Sequence, residues 1–90
     1  MRKFKVDDNT IWEETGYFRF HQAKSPRTLS YIVVEYKEIY RDKPGHNIVY
    51  GPPIYLHDLS SELIAFCKIY SEAQAIIMAK LPSPKGMIEI

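Results

Sequence analysis

The chain reads as an α+β domain: an antiparallel meander of three or four strands followed by one long C-terminal helix packed on one face. Three observations predict this. Two stretches alternate apolar and polar residues at period two, a third repeats apolar residues at helical spacing, and turn residues punctuate the joins. The 90 residues suit one domain over 1–90. Such a chain buries roughly 60–65% of its unfolded surface, so its core is thin and its stability sits near the low end, at about 5 kcal/mol.

Thr10–His21 is the first clear strand. Trp12, Glu14, Gly16, Phe18 and Phe20 fall on one side, with Tyr17, Arg19 and His21 on the other. Gly16 in mid-run predicts a bulge or a tight turn. A short strand over Arg2–Val6 precedes it, joined through Asp7-Asp8-Asn9. Leu29–Arg41 is the second long strand. Ile32, Val34, Tyr36 and Tyr40 share one face and Leu29, Tyr31, Val33 and Ile39 the other, as a central strand requires.

Pro44-Gly45 then supplies the corner of a turn, because proline presets φ and glycine accepts a positive one. Asn47–Tyr50 and Ile54–His57 read as the returning strand, broken by Pro52-Pro53, which makes it an edge.

Leu59, Leu63, Phe66, Tyr70, Ala73, Ile77 and Leu81 form a continuous helical stripe, which predicts one helix over 60–80. Ser60 is its N-cap and Pro82 its stop. A rival division starts from Ser71-Glu72-Ala73-Gln74, which fits a capping box; it makes Leu63–Tyr70 a strand and confines the helix to Glu72–Lys80. Met87–Ile90 reads as a last short strand.

Composition narrows the function. The net charge of +1 is spread evenly, and a pI near 7.8 is low for a dedicated duplex-DNA binder. Cys67 is alone, so no intramolecular disulfide exists, which predicts a reducing, cytoplasmic setting. Met1-Arg2-Lys3-Phe4-Lys5 lacks the apolar run of a signal peptide, and no stretch is long and apolar enough for a membrane span, so a membrane partner is not expected.

No catalytic or metal motif is visible. His21, His46 and His57 are widely spaced, and neither paired histidines nor paired cysteines at zinc spacing occur, so no cofactor is expected. His57, Asp58, Ser60 and Ser61 are close in sequence, but a triad is a matter of geometry, and Asp58 and Ser60 read as helix caps. The four glycines lie too far apart for a phosphate loop.

The unusual feature is aromatic content, with seven tyrosines, four phenylalanines and one tryptophan. Tyrosine suits half-buried strands and interfaces, since its ring is apolar and its hydroxyl can stay wet. The expected function is therefore a small non-enzymatic module that binds a protein partner through Tyr17, Arg19, Tyr31 and Tyr55. The alternative is single-stranded nucleic-acid binding through the aromatic-basic stretch 17–27, with Tyr17, Arg19, Phe20, Lys24 and Arg27 stacking on bases and neutralising phosphate. On the helix, Ile64, Ile69, Ile76 and Met78 widen the apolar arc beyond what one core contact needs, which predicts a homodimer through that surface.

Overall fold

Alternation along the strands separates two faces of one antiparallel sheet, and the described helices and 3₁₀ turn pack their buried residues on one of them. The computed structural model describes residues 1–24, 29–71 and 75–90, with the backbone alone at 75 and 76. Six strands form the sheet: β1 (Lys3–Asp7), β2 (Thr10–His21), β3 (Tyr31–Tyr40), β4 (His46–Tyr50), β5 (Ile54–Tyr55) and β6 (Ile88–Glu89). Their order is β4-β3-β2-β1-β6, and β5 pairs with β3 beyond β4. The register runs Phe4↔Trp12, Phe20↔Ile32, Tyr36↔Val49 and Tyr31↔Tyr55.

The covered face presents Phe4, Phe18, Ile32, Val34 and Tyr36, all buried. Their lid consists of a 3₁₀ turn at Leu56–Asp58, helix α1 (Ser61–Ile69) and the single turn α2 (Ala75–Met78). Leu56, Leu63, Cys67, Ile77, Met78 and Leu81 fill the space between lid and sheet. Tyr36 sits at the centre, with Phe4 edge-on at 6.1 Å and Trp12 at 5.4 Å between ring centroids.

One ionic device ties the chain ends to this core. The Arg2 guanidinium donates to Glu14 Oε1 at 2.8 Å and to the carbonyls of Met78 and Leu81 at 2.7 and 3.0 Å. Glu14 is buried on the core side, and a buried carboxylate must be paired. Arg2 pairs it and, in the same fork, caps the carbonyls at the end of α2.

The expected architecture is corrected in two respects. Among the described residues the sheet has six strands, since the short segments at both chain ends join it. The helix over 60–80 does not form as one C-terminal rod. Ser60 caps its start as predicted, accepting the Leu63 N–H at 3.2 Å, but α1 ends at Ile69 and Tyr70 turns away with φ −116° and ψ 52°. The rival division fails too, because 63–69 is helical; its Glu72-Ala73-Gln74 lie outside the described residues.

The physical reason is that periodicity reports which side chains face the core, not that the backbone between them is continuous. Leu63 and Cys67 from α1 and Ile77 and Met78 from α2 keep the phase of one stripe while two short pieces lie on the sheet. Ile69, Tyr70 and Ser71 are middling helix formers, so little intrinsic preference opposes the break. Among the described residues, no helix is long and apolar enough to cross a membrane.

Candidate functional site

The opposite face of the sheet leaves most of its large side chains partly or fully exposed. Along β2 it shows Tyr17, Arg19 and His21; β3 adds Tyr31, Val33 and Glu35; β4 adds Ile48 and Tyr50; β5 adds Tyr55. The exposures are high for such residues: 55% at Tyr17, 47% at Tyr50 and 37% at Tyr55.

Their grouping depends on a bulge. Glu14 stands opposite Tyr36 and Phe18 opposite Val34, so β2 spends four residues where β3 spends two. Gly16, at φ 92°, takes the left-handed conformation this requires. Because the excess is even, Phe18 returns to the core side, and Tyr17 and Arg19 remain outside. A hollow of about 560 Å³ opens beside the bulge, lined from the strands by Tyr17, Arg19, His21, Val33, Glu35 and Tyr50 and at its rim by Ser71, which follows α1.

Aromatic rings cross the strands as a row. His21 stacks on Tyr31 at 4.7 Å and 14°, Tyr31 meets Tyr55 edge-on at 5.9 Å, and Tyr55 stacks on His57 at 5.9 Å. Beside it, the Arg19 guanidinium lies 5.5 Å from the Tyr50 ring centroid, in cation–π range. Glu35, at the floor of the hollow, accepts a hydrogen bond of 2.6 Å from the Thr15 hydroxyl.

The expected partner-binding residues Tyr17, Arg19, Tyr31 and Tyr55 therefore share one open face. The expected nucleic-acid set is divided. Tyr17 and Arg19 are on that face and Lys24 is exposed past the end of β2, but Phe20 packs against the core, and Arg27 lies outside the described residues. The expected dimer residues separate as well. Ile69 is 69% exposed, Ile64 packs against the core, and the Ile76 side chain is not among those described. Met78 is 1% exposed beneath the lid, where it faces the sheet and not a second copy.

Three residues escaped the sequence reading: His21, Tyr50 and His57. Parity put His21 beside Tyr17 and Arg19. Tyr50 and His57 join through cross-strand register and chain reversal, which alternation within one strand does not carry.

Several of the other reactive groups, Cys67, Ser60 and Glu38, have structural employment. Cys67 is fully buried, and desolvation raises its thiol pKa, which keeps it protonated. Ser60 caps α1. Glu38 accepts from the Trp12 indole at 2.7 Å and from the Tyr40 hydroxyl, whose pKa that bond raises. His57 Nε2 lies 3.2 Å from Asp58 Oδ1 with both groups exposed. Among the described residues no three His, Cys, Asp or Glu cluster as metal ligands. No protein-family model, curated protein or solved structure matches the chain.

Proposed function

We propose that the chain is a non-enzymatic interaction module that takes a protein partner on the open face of the sheet. The observation that carries this reading is the cross-strand row of partly exposed rings beside the Arg19–Tyr50 pair. Rings held against one another present edges and hydroxyls outward, at little further cost in side-chain entropy, which suits a protein surface. A nucleobase needs a free ring face. Here His21 and Tyr31 each cover one face of the other, and the Arg19 guanidinium lies over one face of the Tyr50 ring, which leaves fewer faces for bases. The near-neutral net charge points the same way. A reducing, cytoplasmic setting fits the lone buried thiol.

The test selects binders from a displayed library of protein fragments with the intact chain as bait, then repeats the capture with Tyr17→Ala, Tyr31→Ala and Tyr55→Ala. Binding should weaken at least tenfold in the combined variant. The Tyr17 and Tyr55 single variants should stay folded, within roughly 0.5 kcal/mol of the parent. Capture unchanged by the three substitutions would refute the reading. So would tight binding of labelled single-stranded oligonucleotides, measured by fluorescence anisotropy, that weakens steeply with salt.

A further inference from the structure

The outer edge of the sheet is β4, and none of its residues is an acid, a lysine or an arginine. Edge strands are ordinarily protected by lysines, prolines or bulges. His46-Asn47-Ile48-Val49-Tyr50 has none of these, while Pro44 and Pro52-Pro53 flank it closely.

The free backbone groups of this edge follow from the register. The Gly51 N–H donates to the Val34 carbonyl at 2.9 Å, and these two residues stand opposite each other. Hydrogen-bonded pairs alternate along an antiparallel ladder, so Tyr36/Val49 and Glu38/Asn47 are the next ones. The N–H and C=O groups of His46, Ile48 and Tyr50 therefore point away from β3. Among the described residues, no turn, cap or loop bond takes them up.

We propose that β4 is a self-pairing edge, through which two copies of this chain join antiparallel about a two-fold axis at Ile48. The strand is complementary to itself in that register. Ile48 faces Ile48 of the second copy, His46 faces Tyr50, and Asn47 faces Val49. Every outward-pointing residue meets another, and each such pair exchanges two backbone hydrogen bonds. No like charges are opposed. The sheet already uses the same side-chain pair, His21 on Tyr31 at 4.7 Å.

The prolines select this register. A slip of two residues one way sets Pro44 opposite Tyr50, and the other way sets Pro52 opposite His46. Either loses a donor. A slip of one opposes outward groups to inward ones and turns the side chains to the wrong faces. Ile48, 52% exposed, and Tyr50, 47% exposed, are covered by the pairing. The axis is perpendicular to the sheet, so both open faces lie on the same side and the proposed partner surface doubles.

The test is sedimentation equilibrium of the full chain from about 5 µM to about 0.5 mM, the range suited to a short, weak interface. The wild-type mass should approach twice the monomer at the upper end. Ile48→Lys should remain monomeric, because two lysines meet on the axis. Ile48→Pro should also remain monomeric while its β3–β4 pairing persists, because the Ile48 N–H makes no bond within the protomer. Under mild oxidation Ile48→Cys should cross-link, since Cα atoms of a hydrogen-bonded pair lie about 5.5 Å apart, within disulfide reach. Tyr17→Cys, on the open face away from the edge, serves as control. A wild type that stays monomeric overturns the proposal. So does a dimer that survives Ile48→Lys, one lost only in Ile69→Lys, or Ile48→Cys cross-linking no faster than Tyr17→Cys. If the Lys and Pro variants fail to fold, the cysteine pair decides.

Discussion

The two faces of the sheet are built from alternate residues of the same strands, yet they treat tyrosine in opposite ways. Tyr36 is 1% exposed, between Phe4 and Trp12, while Tyr17, one strand away, is 55% exposed. Residue type does not decide this; what lies above the face does. α1, α2 and the 3₁₀ turn lie on the Tyr36 side, and stability is concentrated there. The more exposed side contributes less to folding, so its residues can change at little cost in stability.

The largest break in this contrast is Phe18→Ala. Phe18 is 1% exposed against the core, and the truncation should destabilise by about 3–5 kcal/mol, most of the expected total. Urea unfolding checks it. A loss under about 0.5 kcal/mol, no more than Tyr17→Ala should show, would mean the two faces do not differ as described.

Next comes Glu14→Ala, which leaves the Arg2 guanidinium with only the two carbonyls. A loss of about 2–3 kcal/mol is expected, short of a fully buried pair because the Arg2 side chain keeps 19% exposure. Equal unfolding midpoints for parent and variant would show that the clamp contributes nothing.

The smallest effect is alkaline. Burial pushes the Tyr36 hydroxyl well above its ordinary range, with the Glu14 carboxylate adding to the shift. The folded state then holds a proton that the unfolded chain releases near pH 10. Stability contributed by the neutral hydroxyl is complete below that pH and falls as pH rises above it, by about 1 kcal/mol over the first unit. Tyr36→Phe should flatten the decline, measured as urea midpoint against pH. An unchanged slope would put the alkaline sensitivity elsewhere.

Much of the sheet was legible before folding. β2 runs from Thr10 to His21, as the alternation predicted, and β3 lies within 29–41. The short end strands and the break at Pro52-Pro53 were legible too, because turn residues act locally. The single long helix was misread, since helical phase carries across a break whenever both pieces face the same core. The open face was legible in part: parity placed Tyr17, Arg19 and Tyr31. What joins them to Tyr50 and His57 is register, and register depends on the two-residue excess around Gly16, whose size no local signal announces.

The Arg2 clamp bears on how the chain is made. Synthesis proceeds from the N-terminus, so Arg2 and its acceptor Glu14 leave the ribosome before Met78 and Leu81, whose carbonyls Arg2 also bonds. β1, β2 and β3 can zip as they emerge, but Phe4, Phe18 and Ile32 then face solvent until residues 61–81 follow. A nascent sheet with its apolar side bare exposes surface that favours aggregation, and the interval before the lid arrives is when a chaperone would find most to hold.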